Sequence, residues 1–359
     1  YTLFLVKNQP FVVTEPMKKR PKILICTWLL SENRGGVAMV SRLLALALRD
    51  RGYQVSILTL CPNHIWNLPG INVYPHPSQL RIFCEFSKAE AVILQGNILK
   101  LAWPLLLFRR KALLIRHIPA PASSGIKKFF QNLLERKTQV CAVSQYMRTQ
   151  EVKPECVKTV PNPYNSQLFH AYPEIVRNQD LIYVGRFVED KGVGILLQAF
   201  LLCFERYHVE HTLTLIGDVS ENPQLEKQLR EVPFFQKHVR CIGSCPSEKV
   251  AMEIARHREM VIPSLWDEPF GIVALEALAC GSQVLCSRCG GLPEALGNLG
   301  RFFERGNVEE LAKCLAFPSV EHPDKKQIEA HLTKHTPDTV AKIYLSLLKL
   351  PETITTNKA

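Results

Sequence analysis

Short apolar runs alternate with amphipathic stretches along nearly the whole chain, and the alternation stops once and then restarts. Lys22 to Thr27 reads as a strand. Gly36 to Arg51 follows as a helix with Val40, Leu43, Leu44 and Ala47 on one face, and Gly52 ends it. Gln54 to Leu60 is the next strand, and further strands are expected near Val73, Ala91–Leu94, Ala112–Ile115, Gln139–Val143 and Val157–Val160. Pro161-Asn162-Pro163-Tyr164 then breaks the pattern, with polar residues up to Asp180. It resumes with strands at Leu181–Val184, Thr212–Ile216, Val239–Ile242, Glu259–Ile262 and Gln283–Cys286, and a helix over Val193–Phe204. Strand-helix-strand alternation of this kind predicts an α/β chain with parallel sheets covered by helices on both faces. The 359 residues leave room for two such doubly wound, Rossmann-like units of about 150 residues each. Ligands of paired units of this type bind beyond the carboxyl ends of the strands, which places a site in the cleft between them.

Composition supports a folded chain. At 47% hydrophobic and 21% charged residues, a disordered chain, a collagen and a coiled coil are excluded. The net charge of +11 is unevenly placed. Residues 1–172 hold 23 basic and 8 acidic side chains, a balance of +15, which leaves −4 for residues 173–359. The first half is therefore expected to meet something anionic. Nucleic acid is the less favoured partner, because no single-strand-binding motif or aromatic platform accompanies the charge. The twelve cysteines are scattered, mostly in apolar runs, and read as buried reduced thiols of a cytosolic protein. Zinc at Cys241, Cys245, Cys286 and Cys289 is not favoured, since two of these lie on expected strands. Residues 1–13 are partly apolar, but Lys7, Asn8 and Gln9 interrupt them and no cleavage site follows, so they do not read as a signal peptide. The most apolar run, Ile98 to Phe108, is too short to span a bilayer.

Four segments carry candidate chemistry. Asn33-Arg34-Gly35-Gly36 follows the first strand and opens a helix, a place where backbone can approach phosphate, although a plain turn has the same composition. Gly185-Arg186 and Lys191-Gly192 follow the first strand of the second unit, and two cations on one loop could clamp a diphosphate. Glu268-Pro269-Phe270-Gly271 leads into the apolar helix Ile272 to Gly281, inside which Glu276 stands as a carboxylate that needs a partner. A structural salt bridge is the alternative for Glu276. Arg116-His117 ends a strand of the first unit and would face the cleft.

Together these residues resemble a GT-B glycosyltransferase of the family 4 type, over about Lys22 to Leu350. The most specific element is Glu268 with Glu276, similar to that family's paired glutamates. Pro269-Phe270-Gly271, Gly281, Gly290-Gly291-Leu292-Pro293-Glu294, Tyr183-Val184-Gly185-Arg186 with Lys191-Gly192, and Pro161-Asn162 fit as well. The resemblance implies an extension at 1–20, an acceptor-side domain over 21–172 and a donor-binding domain over 173–335. It further implies a final helix over 336–350 crossing back to the first domain, and a tail at 351–359. It implies a retaining, metal-independent hexosyltransferase using a nucleotide-diphosphate sugar (UDP or GDP) as co-substrate, with no cofactor. Arg186 and Lys191 would neutralise the leaving diphosphate, Glu268 would hold sugar hydroxyls, Glu276 the ribose, and His117 would lie near the reacting sugar. Gly35, Gly36, Ile242, Phe270, Gly271 and Ile272 would complete the donor site, with Arg240 to Gly243 along the nucleobase. No carboxylate stands out as a nucleophile, which favours front-face departure and attack. The seven Asp residues include no pair separated by one residue, so the acidic metal motif of the other large glycosyltransferase fold is missing.

Two departures concern the acceptor side: Ile118-Pro119 after His117, and Pro163 where many relatives carry Gly. The acceptor is argued from charge. Ser124 to Lys137 reads as a basic amphipathic helix with Ile126, Phe129, Phe130, Leu133 and Leu134 on one side, preceded by Arg109-Arg110-Lys111. Such a helix fits either an anionic membrane or its own sheet. The expectation is a peripheral enzyme at the inner face of a membrane, acting on a glycan or lipid-linked acceptor in cell-envelope polysaccharide or glycolipid synthesis. A non-catalytic nucleotide-sugar or glycan-binding protein on the same fold is the alternative.

Overall fold

The computed structural model describes residues 20–30, 35–61, 67–119, 124–318 and 323–353. Residues 1–19 of the expected extension 1–20, Asn33 and Arg34 of the glycine loop, and residues 354–359 of the expected tail lie outside them. Two parallel sheets organise the chain. The first contains β1 (Lys22–Thr27), β2 (Gln54–Thr59), β3 (Asn72–Pro75), β4 (Ala91–Gln95), β5 (Lys111–Arg116), β6 (Gln139–Ala142) and β7 (Lys158–Thr159), in the order β3-β2-β1-β4-β5-β6-β7. The second contains β8 (Gln179–Val184), β9 (Leu213–Ile216), β10 (Val239–Gly243), β11 (His257–Ile262), β12 (Gln283–Ser287) and β13 (Arg301–Phe303), in the order β10-β9-β8-β11-β12-β13. β13 and its partner helix Val308–Ala316 fall where the sequence reading placed no strand.

The central strands are apolar on both faces because helices cover both. Every residue of β1 and of β4 is buried. This matches the near-continuous apolar runs that parallel sheets require. The helix Gly35–Asp50 turns Ala38, Val40, Leu43, Leu44, Ala45 and Leu48 inward. Sheet order reverses direction between β1 and β4 in the first sheet, and between β8 and β11 in the second. Side by side, neighbouring strands leave there with their following helices on opposite faces, opening a crevice at the carboxyl ends.

The polypeptide crosses between the sheets twice, and the two crossings are tied together. Tyr164 N–H donates to the His335 carbonyl at 3.1 Å, and His335 Nδ1 lies 3.2 Å from the Asn162 carbonyl. After the second crossing the helix Pro337–Leu347 packs on the helix Gly35–Asp50 of the first domain. Arg51 fixes it, pairing with Asp338 at 2.5 Å and donating to the Glu352 carbonyl at 2.7 Å. Tyr53 Oη and Lys111 Nζ donate to the carbonyls of Pro351 and Lys349.

The cysteines form no disulfide. Seven are buried, as expected, but Cys156 and Cys241 are exposed. Cys241 lies on β10, the edge strand of its sheet, so the strand location does not imply a core location.

Candidate active site

Three loops at the carboxyl ends of β8, β11 and β12 build one wall of the cleft. Gly192, with φ of +69°, ends the turn Glu189–Lys191, and a Cβ there would come within 1.8 Å of the Pro263 carbonyl oxygen. Only glycine allows the β8 loop to press this closely on the end of β11. Leu265 and Trp266 N–H groups donate to the Asp190 carbonyl at 2.8 and 3.1 Å, sewing the two loops together. Lys191 is thereby carried to Glu268, Nζ to Oε1 2.5 Å, and Ser264 Oγ donates to the same oxygen at 3.0 Å.

The β12 loop supports Glu268 from beneath. Gly291 N–H donates to the Glu268 carbonyl at 2.6 Å, and Gly290 N–H to Asp267 Oδ1 at 3.2 Å. Side chains at either glycine would collide with the backbone of residues 267–270, at 2.3 Å for Gly290 and 2.6 Å for Gly291. The paired glycines therefore hold the acidic loop.

The two cations of the β8 loop stand differently. Lys191 is engaged by Glu268, whereas Arg186 is exposed and its guanidinium has no hydrogen-bond or ion-pair partner among the described residues. Its carbonyl is held by Tyr183 Oη at 2.6 Å. The Lys191–Glu268 pair does not seal the site, since the two side chains keep 23% and 16% of their surface accessible.

Gly271, with φ of +99°, caps the helix Ile272–Ala279. Glu276 lies one turn into this apolar helix. No ion pair or side-chain hydrogen bond satisfies it among the described residues, so the structural salt bridge considered for it is not there. The side chain is half-buried, and desolvation by the apolar helix raises its carboxyl to about 7. A carboxylate kept in this state, at the start of a helix that opens on a cleft, is characteristic of a ligand-binding group. The Phe270 ring is buried, 5.3 Å from that of His335, which leaves its backbone to face a ligand. Ile242 is half-buried at the end of β10. Arg240, two residues earlier, directs its guanidinium to Glu253 at 2.7 Å.

The first domain supplies the facing wall from its own switch point. His117, just beyond β5, is buried, with Nε2 2.6 Å from Oε1 of Gln95, the last residue of β4. Burial lowers the imidazole to about 4, so the ring is neutral and Nε2–H donates to the amide oxygen. Gln95 is fully buried and its Nε2 has no partner. Sequence reading missed Gln95, although a polar residue closing an apolar strand beside the switch point was a usable signal. Arg116, by contrast, turns away to pair with Glu135 and Glu151.

The walls meet at several points. A Cβ on Gly36 would lie 3.4 Å from Ile272 Cδ1, which puts the first domain's glycine turn against the second domain's helix start. Gly35 has φ of +71°, and no described residue lies within 4 Å of where a Cβ would stand. Ser144 Oγ donates to the Pro269 carbonyl at 2.6 Å, and Gln145 N–H donates to Glu294 Oε2 at 2.5 Å. Gly36, Ile272, Gly271, Glu268 and Lys191 thus form one constellation, with Glu276 one turn deeper. No hydrogen bond or ion pair among the described residues joins His117 directly to it.

Residues 168–318 match the family profile described as Glycosyl transferases group 1. Among curated proteins, the chain is 28% identical over 178 residues to the phosphatidylinositol N-acetylglucosaminyltransferase gpi3 subunit of Schizosaccharomyces pombe, covering 49% of this chain and 38% of that protein. It is 32% identical over 167 residues to the MMP alpha-(1->4)-mannosyltransferase of Mycolicibacterium hassiacum, covering 46% and 40%. The chain thus spans about a third to a half of the length of the curated relatives it matches. Among solved structures, a glycosyltransferase from Rickettsia africae superposes with a TM-score of 0.75 at 17% identity, covering 92% of this chain and 98% of that one. Anabaena Alr3699/HepE, crystallised with UDP and glucose, superposes at 0.69 with 20% identity, covering 92% and 100%. The two facing parallel-sheet domains are the GT-B architecture of these proteins.

Proposed function

We propose that this GT-B chain, whose second domain carries the group 1 glycosyl transferase pattern, moves a sugar from a nucleotide-diphosphate donor to a glycan or lipid-linked acceptor with retention of configuration. The observation that carries the reading is the grouping of Lys191, Glu268 and the Gly271 helix cap against Gly36 of the opposite domain. Helix-start amides and a facing glycine turn suit a diphosphate. Lys191 and the unpaired Arg186 supply the positive charge that stabilises it as it leaves, the kind of term that often dominates catalysis. Glu268, held at both its backbone and its carboxylate, accepts hydrogen bonds from sugar hydroxyls. Glu276 takes the ribose, whose hydroxyls give the carboxylate the donors it lacks. Alr3699/HepE, bound to UDP and glucose, favours a UDP-sugar.

In this reading the step is a front-face displacement. The bond from the anomeric carbon to the diphosphate oxygen breaks, the electron pair goes to the diphosphate, and the acceptor hydroxyl attacks from the same face. Its proton passes to the departing diphosphate oxygen. His117, neutral and oriented by Gln95, lies at the acceptor-side wall and contributes a hydrogen bond. Positive charge on the phosphates comes from Arg186 and Lys191, so the reading requires no metal.

The test is a panel of nucleotide-sugars read by thermal shift, followed by nucleotide release from the best donor. Lys191→Ala is expected to lower turnover by about 10²–10³-fold. Glu268→Ala should weaken both sugar retention and release. Equal release by native protein and Glu268→Ala would leave a binding protein in place of the enzyme.

A further inference from the structure

Away from the cleft, one face of the first domain is apolar, open and positively edged. Three elements form it: the helix Gln79–Lys88, the segment Leu99–Leu106, and the helix Gly125–Lys137, with the middle segment touching both helices. The second helix was expected to present a single apolar side. It divides instead: Leu134 is buried against the sheet, whereas Ile126 is 79%, Phe129 64% and Phe130 41% exposed. Leu107 and Leu80 are also exposed, at 66% and 73%. Between the helix and the middle segment opens an almost wholly apolar groove of about 230 Å³, lined by Leu99, Ala102, Trp103, Leu106, Phe130 and Leu134. Lys100, Lys127 and Lys128 stand exposed on these elements and Arg109 in the loop that follows the middle segment, and no ion pair engages them among the described residues. Glu135, the one carboxylate of the second helix, is turned to Arg116.

We propose that this face docks on an anionic bilayer, with one lipid chain entering the groove. Phe129 and Ile126 insert at the level of the headgroups, and the unpaired cations lie among lipid phosphates. Aliphatic surface this exposed is normally covered by something apolar. Uncompensated cations around it favour an anionic lipid over a neutral protein surface. In tying the acceptor to a lipid, the proposal rests on the glycosyl-transfer reading; the docking face itself does not.

The experiment is co-sedimentation of the full chain with vesicles of phosphatidylcholine alone and of phosphatidylcholine mixed with phosphatidylglycerol. Binding is expected only to the mixed vesicles. Lys127→Ala with Lys128→Ala should weaken it roughly thirtyfold, taking the usual contribution of one lysine near an anionic surface. Ile126→Ser with Phe129→Ser should abolish it while leaving the melting temperature and the nucleotide-sugar thermal shift unchanged, because both side chains face solvent. For the groove, lipids brominated along their chains should quench Trp103, and the quenching should disappear in Trp103→Phe. Binding that ignores lipid charge, quenching that persists without Trp103, or a dimer that Ile126→Ser with Phe129→Ser converts to monomer would each overturn the proposal. Failure of the nucleotide-sugar panel with vesicle binding intact would instead count against the catalytic reading alone.

Discussion

Glu276 shows what a single residue can reveal about a site. Its carboxyl lies in an apolar helix without a partner and is raised by burial to about 7. Its folded value is above the unfolded one, so the native state holds the proton more tightly between about pH 4.5 and 7. Stability therefore falls as pH rises through that window, and the cost is complete above it. Glu276→Gln removes the charge and keeps the shape. It should stabilise the protein by about 1–3 kcal/mol at pH 8 and leave it unchanged at pH 4, measured by urea denaturation at both values. The same variant should bind the donor more weakly at either pH. A gain in stability that does not depend on pH would remove the explanation. Glu276 and the doubled glycines stood out in sequence because each breaks a local rule, a carboxylate in an apolar helix or glycines doubled at a strand end, whereas Glu268 and Lys191 were singled out chiefly through the family resemblance. Gln95 showed in sequence only as a polar residue closing an apolar strand, and Ser264 not at all, since their partners His117 and Glu268 are brought to them by the fold.

At the scale of the element, the site depends on loops that are short and tightly stacked. Gly192 and Gly35 are both left-handed, at φ of +69° and +71°, yet their surroundings differ. Gly35→Ala meets no described residue and should cost about 1–2 kcal/mol, the penalty of the backbone conformation alone. Gly192→Ala also drives a methyl into the Pro263 carbonyl, and should cost about 2–5 kcal/mol and displace Lys191. Denaturation curves for the two variants give the comparison directly; equal losses would mean that the β8 loop can move off β11. The strands themselves were readable almost to the residue, because burial on both faces leaves apolar runs in the sequence. β13 was hidden: its three residues follow Gly300 and begin with Arg301, whose guanidinium pairs with the buried Glu259 at 2.7 Å. Three residues, one of them an arginine, are too few to show a strand period. The helix Gly125–Lys137 could not be resolved from sequence either, since an apolar side looks the same whether it faces a sheet or solvent.

For the whole molecule, the two domains are held by loop contacts at the cleft and by two adjacent chain crossings behind it. Arg51 anchors the last helix, and its guanidinium is buried whereas Asp338 is exposed. Arg51→Ala should cost about 1–3 kcal/mol by stranding the Glu352 carbonyl and opening the helix contact. Asp338→Ala should cost less than about 1 kcal/mol. A double-mutant cycle read by chemical denaturation should give a coupling below the Arg51 loss, and a coupling as large as that loss would place the anchor in the ion pair instead of the carbonyl contact.

The return of the chain's final helix to the first domain also has a consequence for biosynthesis. The outward side of the helix Gly35–Asp50 has no cover until residues 337–347 arrive, after the entire second domain has been made. An amino-terminal half emerging from the ribosome must wait with that surface bare, so the vectorial order in which multidomain chains usually mature is interrupted here. Newly made first domain is the stage at which a chaperone has something to hold.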